Sequence, residues 1–179
     1  MNYATLYRLS IVDGNGIRVS LYVSGCRRHC KGCHNSKAQD FNFGKPFTEE
    51  TKNLIKSYLN HDYIKGFTLC GGEPMEEENQ RAIVSLLKEI KHDYPEKDIW
   101  LWTGYEFEDL LMGGKKHCEV TDEILSLVDV AVVGPFILDQ RDISDNNRWR
   151  GSRNQRVVDV KKSLETRKKI FLENIPNNN

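Results

Sequence analysis

Cys26-Arg27-Arg28-His29-Cys30-Lys31-Gly32-Cys33 sets three thiols at C-x3-C-x2-C spacing. It follows an alternating run, Arg18-Val19-Ser20-Leu21-Tyr22-Val23-Ser24-Gly25, which reads as a strand that Gly25 lets the chain leave. The cysteines are therefore expected on a loop at the end of a strand. Thiolates at this density suit a soft metal centre. Iron–sulfur clusters are usually held by four cysteines, and this loop offers three. A four-iron, four-sulfur cluster held here would leave one iron without a protein thiolate. An outside ligand can bind at such an open position, by the logic that separates catalytic from structural zinc sites.

Working outward, Lys65 to Cys70 reads as a second strand, ended by Gly71-Gly72-Glu73-Pro74. Two glycines let a ligand approach the backbone and expose peptide groups for hydrogen bonding. An ordinary strand-to-helix turn is the plain alternative, and it would be favoured if the motif stood alone. Residues 3–12 read as an opening strand, and Asp13-Gly14-Asn15-Gly16 as a turn. Thr48 reads as a helix N-cap, with Glu49 and Glu50 behind it. The clearest helix runs from Glu76 to about Lys91, where Ile83, Leu86, Leu87 and Ile90 recur at helical spacing. Asp98 to Thr103 and Asp129 to Val133 read as strands, and Gln155 to Val160 as a fifth. Glu106 to Met112 reads as a short helix, and Thr121 as the cap of another. This alternation predicts an α/β domain with a mainly parallel sheet. If the sheet curls into part of a barrel, the loops after the strands share one edge. The cysteine loop and the Gly-Gly-Glu-Pro turn then face each other.

The whole chain sets limits. Its 179 residues suit one domain, and 39% hydrophobic residues suit a globular one. Lys plus Arg and Asp plus Glu are 26 each, so charge alone predicts neither a nucleic-acid nor a membrane partner. No apolar stretch reaches bilayer length and no signal peptide is visible, so a cytoplasmic location is expected. Cysteines in a reducing compartment read as ligands or buried thiols. Cys70 reads as a buried thiol and Cys118 as an incidental loop thiol. The domain is expected over residues 1–164. Residues 165–179, basic and then Asn-rich, read as a loose helix and a frayed end.

The C-x3-C-x2-C loop after one strand and Gly-Gly-Glu-Pro after the next resemble the radical S-adenosylmethionine (SAM) superfamily. That resemblance implies an open, partial β/α barrel. Cys26, Cys30 and Cys33 would hold one 4Fe-4S cluster whose fourth iron is chelated by SAM, with Gly71, Gly72 and Glu73 contacting the SAM. Further blocks narrow it: Asp13-Gly14-Asn15-Gly16-Ile17-Arg18, Cys33-His34-Asn35, Trp102-Thr103-Gly104-Tyr105 and Trp149-Arg150-Gly151-Ser152-Arg153-Asn154-Gln155. In order and spacing they resemble the activating proteins of anaerobic ribonucleoside-triphosphate reductases, and they add Asn35 to the SAM contacts. The implied reaction is reductive cleavage of SAM to methionine and a 5′-deoxyadenosyl radical, which takes hydrogen from a glycine of the reductase. The implied partners are that glycyl-radical subunit and a low-potential electron donor such as flavodoxin or ferredoxin. No catalytic side chain beyond cluster and SAM is required. Val133 stands where relatives often carry Asp, so this position offers no carboxylate to SAM.

Other readings compete. One is an activator of another glycyl-radical enzyme, such as pyruvate formate-lyase, or a small radical SAM enzyme acting on a small molecule. The Trp102 and Arg150 blocks argue against both. Another is a structural Cys3His zinc module using His34 or His29. Zinc sites usually pair their thiols as two separated units, and no second unit exists here. Trp100 and Trp102 read as core. Arg148, Trp149, Arg150 and Arg153 read as a site-edge segment that binds SAM or the partner.

Overall fold

The computed structural model describes residues 1–172, and in it strands and helices alternate through most of the chain. Strand β1 (Asn2–Ser10) turns back into β2 (Ile17–Val23). In the turn Gly14 and Gly16 take φ values of +123° and +76°, which side-chain-bearing residues rarely adopt. A two-residue edge strand, β3 (Lys45–Pro46), precedes α1 (Glu49–Leu59). Thr48 caps α1 as its sequence demands. Its hydroxyl accepts from the Thr51 N–H, and the Thr51 hydroxyl accepts from the Thr48 N–H, both at 3.4 Å. Then come β4 (Ile64–Gly71), α2 (Glu77–Asp93), β5 (Asp98–Trp102) and the single turn α3 (Phe107–Leu110). The chain continues through α4 (Thr121–Leu127), β6 (Val130–Val133), β7 (Arg156–Asp159) and α5 (Val160–Thr166). Thr121 is not a cap: Val120 holds that place. The Thr121 hydroxyl instead donates to Gln80 Oε1 at 2.6 Å and accepts from the Cys118 N–H at 2.8 Å.

The strands form one open sheet in the order β3-β1-β2-β4-β5-β6-β7. The central four are parallel, whereas β1, β3 and β7 join antiparallel, so the sheet is mixed rather than mainly parallel. The reason lies in the connections. A parallel neighbour needs a crossover, usually helical. The β1–β2 link is too short for one, and residues 134–155 contain only single 3-10 turns. After α5, Ile170 and Leu172 bond back to β7, through Asp159 N–H to Ile170 O and Leu172 N–H to Val157 O, both 2.9 Å. The remainder of the expected tail, residues 173–179, lies outside the described residues.

Alternation sorts the two sheet faces. Val19, Leu21, Val23, Phe67, Leu69, Ile99 and Leu101 pack against Ile55, Leu59, Ile83, Leu86, Leu87 and Ile90 of α1 and α2. Each such side chain, fully buried, contributes about 1.5–3 kcal/mol. On the other face stand Arg18, Ser20, Tyr22, Thr68, Cys70, Trp100 and Trp102. Among the described residues no helix covers them. The β1–β2 loop folds over this face instead: the Tyr22 hydroxyl donates to Asp13 Oδ1, and the Thr68 hydroxyl to Asp13 O, both at 2.7 Å. From the far side the 134–155 segment lays Trp149 edge-on against Trp100, ring centroids 4.8 Å apart. Trp102 Nε1 donates to Trp149 O at 2.9 Å. The space between these two loops is the site.

Candidate functional site

Because β2 and β4 are adjacent and parallel, with Val23 opposite Gly71, their exit loops leave the same edge. Gly25, at φ +96°, ties the two loops together. Its carbonyl accepts from the Glu73 N–H, and the Val23 carbonyl from the Gly72 N–H, both at 2.8 Å. Cys26, Cys30 and Cys33 are free, half-buried thiols. They line one cavity of about 1330 Å³ together with Gly71, Gly72 and Glu73. The two motifs chosen from sequence therefore share one site. Cys70 is buried in β4 and Cys118 is half-buried in a loop bonded to Gln80; neither lines the cavity. Asn35 does not line it either. It begins a short 3-10 turn beside a separate pocket of about 300 Å³.

The glycine pair has a structural cause besides the ligand approach expected of it. A Cβ on Gly72 would sit 2.6 Å from Ala38 O and 2.7 Å from Gly25 O. On Gly71, at φ +110°, it would meet the Tyr22–Val23 backbone at 2.6 Å. The glycines permit close approach of the chain's own backbone, β2 at Gly71 and the Gly25 and Ala38 carbonyls flanking the cysteine loop at Gly72. Gly72→Ala should therefore cost about 2–3 kcal/mol, since backbone cannot yield as a side chain would, and should lower iron uptake. Thermal melting and iron content measure this. Unchanged values with weaker SAM binding alone would show that ligand, not backbone, needs the space.

Two buried carboxylates brace the site. Glu73 Oε1 accepts from the Thr103 hydroxyl (2.7 Å) and Met75 N–H (3.0 Å), and Oε2 from Gly104 N–H (2.7 Å). Its side chain thus clamps the loop after β4 to the loop after β5. Burial pushes its carboxyl up to about 7, against the pull of those donors. Glu76 is fully buried and collects the Arg27 N–H (3.0 Å), the Tyr105 hydroxyl (2.9 Å), Lys116 Nζ (2.8 Å) and Arg27 Nη1 (3.1 Å). Burial opposes its charge, but Lys116 and Arg27 outweigh that and hold it below the usual range. Neither acid's bracing role is visible from spacing, although Glu76 stands two residues past the Gly-Gly-Glu-Pro turn.

Three thiols on one short loop are a soft donor set of the kind that iron–sulfur clusters use. Burial pushes the Cys26 thiol up to about 11, aided by Glu73 and Glu76 and opposed by the Arg28 N–H. A bound metal displaces that proton outright. The remaining wall includes Trp102, Phe136, Arg148, Trp149 and Gln155, with exposed Ile11, Val12 and Ile143 also lining it. Sequence reading assigned the 148–153 stretch to the site edge but missed that Trp149, at φ +64°, packs into the wall. Of Arg148, Trp149, Arg150 and Arg153, only Arg153 is exposed.

Comparison with known proteins agrees with the geometry. Residues 12–158 match the family described as a 4Fe-4S single cluster domain. The anaerobic ribonucleoside-triphosphate reductase-activating protein of Enterobacteria phage T4 is 40% identical over 157 residues, 88% of this chain and 93% of that protein. The protein of that name from Escherichia coli K12 is 40% identical over 159 residues, 88% and 97% of the two chains. That from Vibrio cholerae is 39% identical over 157 residues, 87% and 96%. With 87–88% of its length matched at 39–40% identity to these proteins, the chain belongs to the family of anaerobic ribonucleoside-triphosphate reductase-activating proteins.

Proposed function

We propose that this chain is a radical SAM activase that installs a glycyl radical on an anaerobic ribonucleoside-triphosphate reductase. The observation that carries this is the meeting of Cys26, Cys30 and Cys33 with Gly71, Gly72 and Glu73 in one cavity at the ends of adjacent parallel strands. The donor set suits one 4Fe-4S cluster held by those three cysteines, with one iron left for SAM. The open sheet, with its ligand loops on one edge, supports the partial-barrel reading. When bound, cluster and SAM supply the one-electron reduction and the hydrogen-atom abstraction from a glycine Cα.

The chain's own residues bind, orient and exclude water. Gly25, Gly71 and Gly72 let the two loops close on each other, and Glu73 fixes the loop after β5. Trp102 and Trp149 wall off the second sheet face. The cavity exceeds the ~300–1,000 Å³ usual for small-molecule sites, which leaves room for a peptide segment beside SAM. Ile11, Val12 and Ile143, 70–82% exposed, give that segment an apolar approach. A low-potential donor such as flavodoxin or ferredoxin would supply the electron. No described helix is long and apolar enough to cross a membrane.

The test is anaerobic reconstitution with iron and sulfide, reduction in the presence of SAM, and assay for 5′-deoxyadenosine and methionine. Adding the reductase should then give a glycyl-radical resonance signal on that subunit. A colourless zinc protein, or cleavage of SAM with a radical on pyruvate formate-lyase instead, would overturn the proposal.

A further inference from the structure

Arg27 and Arg28 lie side by side in the cysteine loop but are used differently. Arg27 is held by Glu76 and Glu78. Arg28 makes no hydrogen bond or ion pair among the described residues, and its Nε is sealed from solvent without a partner. The side chain is half-buried and forms part of the cavity wall. Its guanidinium lies over the Tyr105 ring, 4.8 Å from the centroid. That ring is itself fixed, because the Tyr105 hydroxyl donates to buried Glu76 at 2.9 Å. Gly104 makes room for the stem: a Cβ there would fall 2.5 Å from Arg28 Cδ and 2.6 Å from Nε. Glu73 Oε2 lies 3.4 Å from the same point, but both Glu73 oxygens already carry donors. A guanidinium with a preset orientation, an unsatisfied buried Nε and no ion pair among the described residues is a ready partner for the anion of a ligand in this cavity.

We propose that Arg28 is the carboxylate-binding residue of this cavity; resting on the function proposed above, its ligand is the carboxylate of the amino-acid end of SAM. A planar guanidinium matches a carboxylate with two parallel hydrogen bonds, which an ammonium cannot do. Tyr105 and Gly104 are the positioning residues. The ring holds the guanidinium by its face, and the missing side chain lets it lie flat along the loop after β5.

The test is equilibrium binding of SAM and of decarboxylated SAM to the cluster-loaded protein, for wild type, Arg28→Gln and Arg28→Lys. Loss of a charged hydrogen-bond partner should weaken SAM binding about 10–100-fold in Arg28→Gln. Affinity for the decarboxylated analogue should stay within about twofold. Arg28→Lys should fall between, keeping the charge but losing the fork. Iron content and circular dichroism establish that each variant is folded and loaded. If Arg28→Gln does not load, Arg28→Lys decides: an unchanged preference for SAM over its analogue overturns the proposal. So does an equal loss for both ligands in either variant, which would mean that Arg28 reads the adenosyl end or an anion from elsewhere. Wild type that binds neither ligand would instead sink the SAM reading itself.

Discussion

Replacing any one of Cys26, Cys30 or Cys33 with Ala should abolish the iron–sulfur absorption after anaerobic reconstitution, and with it all SAM cleavage. Three thiolates are the least that leave a single iron open, and two are too few anchors to hold the cluster against loss to solvent. The other two thiols cannot substitute. Cys70 sits within β4, 6% exposed, and burial pushes its thiol well up. Cys118 lies in the loop before α4, where its Sγ donates to Gln80 Oε1 at 3.4 Å. Cys70→Ala and Cys118→Ala should therefore keep full iron content. Loss of iron from either would break the assignment, as would a coloured, SAM-cleaving Cys30→Ala.

Asp98→Ala should destabilise the fold by about 3 kcal/mol, at the low end for a broken buried ion pair because Asp98 keeps some contact with water. Arg18 is completely buried beneath the β1–β2 loop, and Asp98 meets its Nη1 at 2.6 Å. Its other partners are neutral: Thr68 Oγ1 (2.6 Å), Phe67 O (2.8 Å), Asn15 O (3.1 Å) and Asp98 O (3.2 Å). Taking the carboxylate away strands a guanidinium that stays ionised at any accessible pH. Urea denaturation measures the change, and a value below about 1 kcal/mol would mean that the neutral acceptors suffice.

The central half of this fold was legible because alternation and helical spacing report burial directly. The boundaries read for β4 and β5 fall within one residue of those observed. Strand direction was not legible, since alternation looks the same either way along the chain. Only the absence of a helical crossover in residues 134–155 could have betrayed β7 as antiparallel. The site shows the same division. Chemistry-bearing residues with fixed spacing, the three cysteines and Gly71-Gly72-Glu73, converge on one cavity. Residues that matter through long-range contact were not found: Glu76 as a brace, Arg28 over Tyr105, and Trp149 packed on Trp100. Asn35 shows the converse, two residues past Cys33 in sequence yet lining another pocket.

The brace at Glu76 bears on how the protein matures. The front of the cysteine loop is pinned by contacts that use no thiol: Gly25 N–H to Ala38 O (2.8 Å), Cys26 N–H to Gln39 O (3.0 Å) and Arg27 N–H to Glu76 (3.0 Å). Fixing a backbone residue costs about 1–2 kcal/mol of entropy, and here much of that is met by folding rather than by iron. Zinc fingers take the opposite course, in which metal binding and folding are one event. This domain should instead persist as a folded, empty receptacle. A cluster destroyed by oxygen could then be rebuilt in place, and the chain would pass through repeated cycles of damage and repair without denaturing.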